Sequence, residues 1–187
     1  SGDMVYKLSW ARDPGVYGYF GNMKEQQSPD CSCYVKNGPF IGTSKNVDFI
    51  RYADVLLFKA EALIQLNRYA EALPIINQIR TRAAASTTMT LAAGASNVYK
   101  VQPYDSFPSK EYAMKALIFE RRLEFGMEGP RFFDLVRWGI AEPVLNAYLD
   151  VEKTKRDFLS NAKFTAGRDE YYPIPQREID FTGRLYK

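Results

Sequence analysis

The spacing of apolar residues changes near residue 47, and that change organises the chain. Residues 1 to about 46 are rich in Gly, Pro, Asn, Ser and aromatics and hold no sustained period. They read as loop with short strands, closing in a turn near Gly42 to Asn46. Beyond it Phe49, Ala53, Leu56, Leu57, Ala60, Leu63 and Ile64 recur at three- and four-residue steps, with Arg51, Asp54, Glu61 and Gln65 on the other side. This spacing predicts an amphipathic helix capped by Asp48 and running to about Leu66. A turn at Asn67-Arg68 leads to a second helix, Tyr69 to about Ala84, whose stripe is Tyr69, Ala72, Ile76, Ile79 and Ala83. Pro74 falls close to its first turn, where a missing N–H costs least. Small residues at Ala60 and Ala72 permit close approach, so the pair reads as one helical hairpin of tetratricopeptide type.

Residues 85 to 108 begin as an Ala/Ser/Thr tract and end with Pro103 and Pro108, a long loop. Ser109 is expected to cap a third helix reaching Met127. Met114, Leu117, Ile118, Phe119, Leu123, Phe125 and Met127 surround that helix, which predicts burial on nearly every side. Gly129-Pro130 ends it, a short helix follows from Arg131 to Trp138, and an amphipathic one covers roughly Glu142 to Leu159. Tyr171-Tyr172-Pro173-Ile174-Pro175 cannot be helical at its prolines. It is expected to lie extended as a strand docking the tail, with a final turn at Gln176 to Asp180. The fold class that results is all-α, tetratricopeptide-like hairpins with long loops and an extended carboxy-terminal tail. Residues 1–46 form a loop-rich segment with aromatics, and residues 47–187 form the helical region.

Composition narrows the function. With 46% apolar and 25% charged residues, the chain has the profile of a folded domain. Its net charge of +3 comes without a block of like charge, which gives no basis for binding nucleic acid. Histidine is absent, which excludes His-dependent triads and His-ligated metals within the chain. Cys31 and Cys33 alone cannot complete a zinc site. They read as loop thiols without special chemistry, or at most a strained disulfide. No cofactor or metal is expected. No apolar run is long enough to span a bilayer, and no signal peptide is visible at Ser1-Gly2-Asp3-Met4.

Two groups of residues could carry chemistry. Glu120, Arg121 and Glu124 lie on the apolar third helix, and Arg131, Asp134 and Arg137 follow at three-residue steps. Charges in apolar surroundings must be paired. One reading makes Glu120 and Glu124 a general acid/base pair for glycoside cleavage. The other makes all six a structural network, with the glutamates accepting from Arg121, Arg131 or Arg137 and Asp134 set between Arg131 and Arg137. Guanidinium neighbours would lower the carboxyl pKa values, the wrong direction for a general acid, which favours the structural reading. The second group is Trp10, Tyr17, Tyr19 and Phe20, beside Arg12, Asp13 and Asn22. Rings next to polar side chains suit stacking on sugar C–H faces, although aromatics in irregular segments more often anchor a loop to a core.

Four stretches together resemble the carboxy-terminal region of SusD/RagB proteins, over about residues 46 to 182. They are Ile50-Arg51-Tyr52-Ala53-Asp54-Val55-Leu56-Leu57 with Ala60-Glu61-Ala62, and Ile76-Asn77-Gln78-Ile79-Arg80-Thr81-Arg82-Ala83. Further on come Glu120-Arg121-Arg122-Leu123-Glu124 with Gly129 to Gly139, and Tyr172-Pro173-Ile174-Pro175-Gln176-Arg177-Glu178-Ile179-Asp180. The resemblance implies a non-catalytic, α-helical surface receptor that binds oligosaccharides or other nutrients. It implies a partnership with a SusC-like TonB-dependent transporter at the outer membrane, reached only through a lipid anchor outside this chain. Cys31 is not in a lipobox and is not that anchor. The alternative is a helical-repeat protein-interaction module with no ligand site of its own.

Overall fold

The computed structural model describes residues 13, 16, 24, 31–85, 100–183 and 185. Contacts group the chain into two compact units, residues 1–131 and 132–187.

The described part of the first unit includes an antiparallel hairpin of β1 (Tyr34–Asn37) and β2 (Phe40–Thr43), in register from Tyr34 opposite Thr43 to Asn37 opposite Phe40. Gly38 takes the positive φ that its turn requires. Three helices follow: α1 (Tyr52–Gln65), α2 (Tyr69–Ala84) and α3 (Lys110–Glu124). Their inward residues form one core, including Leu57, Ala60, Ile64, Ala72, Ile76, Ile79, Ala113 and Leu117. Ala60 and Ala72 are fully enclosed, as a close helix–helix approach requires.

Helix α1 starts later than expected. Arg51, not Asp48, is the cap residue, and Phe49 is 94% exposed, so the buried stripe begins at Ala53. The helix ends in a Schellman turn. Asn67 N–H donates to Ile64 O at 3.0 Å, Arg68 N–H donates to Leu63 O at 2.8 Å, and Asn67 adopts φ 61°. Lys110 donates to Gln65 O, satisfying another terminal carbonyl. Helix α2 has the expected bounds, but Pro74 is its sixth residue and lies beyond the first turn. Pro74 and Ala70 are both exposed, so the carbonyl left without its N–H partner is open to water.

Ser109 caps α3, its hydroxyl accepting from Tyr112 N–H at 3.1 Å. The helix stops at Glu124 rather than Met127, and it is not buried all round. Ala113, Ala116, Leu117, Glu120 and Arg121 occupy the inward positions at helical spacing. That periodicity carries Tyr112, Phe119 and Leu123 to a neighbouring, exposed stripe. The segment before α3 is fastened by Asn77, which donates to Tyr104 O and accepts from Tyr104 N–H, both at 2.8 Å. Phe107 then enters the core.

In the second unit α4 (Arg131–Arg137) leads into α5 (Ala141–Glu152) through a second Schellman turn. Gly139 N–H donates to Val136 O and Ile140 N–H to Leu135 O, with Gly139 at φ 69°. Leu135, Ala141 and Phe164 form a small core with Phe132, Val136, Ile140, Val144 and Leu145 around it. Asn146 holds both backbone groups of Phe164, as Asn77 holds those of Tyr104. Helix α5 ends seven residues before the expected Leu159. The Thr154 hydroxyl donates to Val151 O there and competes with continuation of the helix. A short 3-10 turn, Asp157–Leu159, follows. Residues 171 to 175 form no strand, and Tyr171 and Tyr172 are exposed rather than docked. The expected final turn is a helix, α6 (Gln176–Thr182), begun by Glu178 and Ile179 N–H groups donating to Pro175 O.

Candidate functional site

The charged residues of α3 meet partners from α1 and α2. Arg51, immediately before α1, grips two acids at once. Its Nε and Nη2 donate to Glu128 and its Nη1 donates to Glu124, each at 2.9 Å. Glu124 also accepts from Arg82 of α2 at 2.5 Å. Glu120 accepts from Arg80 of α2 at 2.8 Å, and Arg121 donates to Asp54 of α1 at 2.8 Å. Lys24 joins through Glu128 and the Glu124 carbonyl. The guanidiniums also face rings: Arg51 over Phe125, Arg80 over Tyr104, and Arg121 over Phe58 and Phe125. Arg80 further donates to Gln102 O, so one side chain holds α3 and the incoming loop together.

These pairings differ from those expected. Glu120 and Glu124 accept from Arg80, Arg51 and Arg82, which are not among the partners expected, Arg121, Arg131 and Arg137. Neighbouring positions on a helix do not face each other, so Arg121 is turned from Glu120 toward Asp54. Asp134 and Arg137 pair with each other in the second unit, at 2.9 Å, with Arg137 beside Trp138. Arg131 is the first residue of α4. The six residues are therefore distributed over both units.

Burial and pairing act oppositely on the acids. Burial pushes the Glu120 carboxyl above the ordinary range, and the bond from Arg80 offsets this only in part. This corrects the expectation that guanidinium neighbours would lower it. At Glu128 burial also acts upward, but the bonds from Arg51 and Lys24 outweigh it and hold the carboxyl below its ordinary value. A raised carboxyl is one property of a general acid, but the Glu120 side chain is 4% exposed and already engaged by Arg80.

Trp10, Tyr17, Tyr19 and Phe20, the aromatics read as ligand contacts, lie outside the described residues. A shallow groove of about 280 Å³ runs between the start of α1 and the end of α2, lined by Arg51, Tyr52, Ala53, Leu56, Gln78, Ile79 and Arg82. Among the described residues, no cluster of three acids or cysteines could hold a metal ion. No described helix is long and apolar enough to cross a membrane.

Comparison with known proteins decides the family, because residues 27–187 match the model of the SusD family. The chain belongs to the SusD family. The SusD-like protein P38 of Formosa agariphila is 37% identical over 100 residues, 54% of this chain and 18% of that protein. The SusD-like protein P25 of the same organism is 34% identical over 118 residues, 63% of this chain and 19% of that protein. A crystal structure of a SusD superfamily protein from Bacteroides vulgatus matches with a TM-score of 0.52 and 33% identity, over 70% of this chain and 24% of that one. The matches thus span less than a quarter of each relative's length. The helical architecture is that of the SusD superfamily. Within this SusD-family chain, Arg51, Arg80 and Arg82 were the partners not assigned from sequence. All three lie inside stretches that carry the resemblance, and each was available as an arginine on or beside an amphipathic helix.

Proposed function

We propose that this chain is part of a cell-surface receptor that binds oligosaccharides and passes them to a SusC-like TonB-dependent transporter, with no chemistry of its own. The family match over residues 27–187 carries the reading. The ion pairing supports its non-catalytic side, since Glu120, Glu124 and Glu128 are each committed to arginine and act as struts between helices. Ligand contact is assigned to the aromatic segment containing Trp10, Tyr17, Tyr19 and Phe20. Attachment to the outer membrane is assigned to a lipid anchor outside this chain.

A second reading is a helical-repeat interaction module that touches the transporter and no ligand. The α1–α2 hairpin favours it, since stacked hairpins build extended protein-binding surfaces. Calorimetry of the complete polypeptide against starch, xylan, pectin, alginate, mucin glycans and a peptide pool separates the two. Saturable binding to at least one glycan is expected. Co-purification with the transporter but no binding to any glycan would favour the interaction module and overturn the receptor reading.

A further inference from the structure

Asn37 and Gly38 meet at the tip of the β1–β2 hairpin, and theirs is the only Asn-Gly step in the sequence. Asparagine is chemically labile because the backbone nitrogen of the next residue can attack its side-chain amide and close a five-membered ring. Access limits that attack. The amide must be open to rotation, the following residue must not crowd its own nitrogen, and the backbone must be able to turn.

The hairpin tip meets these conditions. Asn37, Gly38 and Pro39 are all exposed. Gly38 sits at φ 61°, and nothing lies within 4 Å of where a Cβ would stand. The strand ladder ends at the Asn37–Phe40 pair, so Gly38 is outside it. Turning Asn37 until the Gly38 nitrogen reaches Cγ therefore costs only the terminal pair, and the glycine absorbs the rotation. The other end of the hairpin is held. Cys31 and Cys33, expected to be loop thiols or at most a strained disulfide, are joined in a disulfide, and their carbonyls accept from Tyr34 N–H and Ser44 N–H, both at 2.9 Å.

The other described asparagines lack one condition or another. Asn77 and Asn146 have both amide atoms committed to the backbone of Tyr104 and Phe164. Asn46 and Asn161 are exposed but precede Val47 and Ala162, whose Cβ atoms crowd the attacking nitrogen.

We propose that Asn37–Gly38 is a site of spontaneous deamidation in the folded protein. The Gly38 nitrogen loses its proton to solvent base and bonds to Asn37 Cγ. The Cγ–Nδ2 bond breaks, and ammonia leaves after taking a proton from water. Water then opens the succinimide. Cleavage of the new N–Cγ bond gives aspartate, and cleavage of the original peptide bond gives isoaspartate, with the chain now running through Cγ. Either product sets a carboxylate beside Lys36, and isoaspartate also adds a methylene to the backbone, which breaks the Asn37–Phe40 pairing.

The test is to hold the whole chain, without denaturant, in warm, mildly alkaline buffer and to digest samples at mildly acidic pH, where the reaction stops. Mass spectrometry of the tryptic peptide Asn37–Lys45, with isoaspartyl methyltransferase labelling, reads the conversion. Asn37 is expected to convert first and faster as pH rises, with Asn46 and Asn161 lagging and Asn77 and Asn146 intact until the chain unfolds. Asn37→Gln and Gly38→Ala should each abolish the mass gain at this peptide. Conversion of Asn37 in urea but not in the folded chain would overturn the proposal. So would a rate that ignores pH, or conversion at Asn46 or Asn161 as fast as at Asn37.

Discussion

Glu120 shows the balance of forces at the scale of one side chain. It occupies an inward position on α3, where a leucine would pack without penalty, and Arg80 compensates its charge. Truncating one member of a buried pair strands the other. Arg80→Ala is therefore expected to destabilise the chain by about 3–5 kcal/mol, and replacing both residues with apolar ones of similar volume should recover most of the loss. Urea unfolding of the single and double variants measures this. Equal loss in both would show that Arg80 acts through Tyr104 and Gln102 instead.

The two perturbed acids also predict opposite pH trends. The carboxyl of Glu128 is held below its ordinary value of about 4.3, so its stabilising contribution is complete above that pH and is lost as pH falls through the folded-state value. The carboxyl of Glu120 is raised, so the folded state is favoured while it stays protonated and loses that advantage as pH rises through the raised value. Relative to wild type, Glu128→Gln should thus recover stability on acidification, whereas Glu120→Gln should gain ground as pH rises from about 4 toward neutrality. Melting temperatures across that range report both slopes. Parallel slopes would contradict the assignment.

At the scale of elements, the turn between α1 and α2 rests on Asn67 at φ 61°. A branched side chain resists that conformation. Asn67→Val is expected to cost about 1–2 kcal/mol, while Asn67→Gly should be neutral or slightly stabilising, both read from thermal denaturation. This turn was legible from sequence, as were the bounds of α2 and the Ser109 cap, because each depends on residues within a few positions of one another. The start of α1 was not. Its cap residue Arg51 is held by Glu124 and Glu128, more than seventy residues away, and local period says nothing of such a partner. Helix α3 failed for a related reason. Its apolar residues outnumber its inward positions, and only Arg80 of α2 and Asp54 of α1 explain why Glu120 and Arg121 turn inward while Phe119 and Leu123 do not. The asparagine clamps on Tyr104 and Phe164 were equally invisible, since each pairs a helix with a loop through backbone groups that carry no residue signature.

At the scale of the whole molecule, the family is shown by a match over most of the chain, while the matched stretch covers only 18% to 24% of each relative. The resemblance was legible because its motifs are the helix-locking segments themselves: Ile50 to Leu57, Ile76 to Ala83, and Glu120 through Gly139. The particular ligand was not legible, because those segments build the scaffold and their charges are occupied by one another. The receptor proposed above would hold its ligand and return it intact. The decisive measurement is therefore chromatography of a bound glycan recovered after prolonged incubation with the complete polypeptide. Unchanged chain length with stoichiometric binding is predicted. New reducing ends, abolished by Glu120→Gln in a protein that still folds, would contradict it.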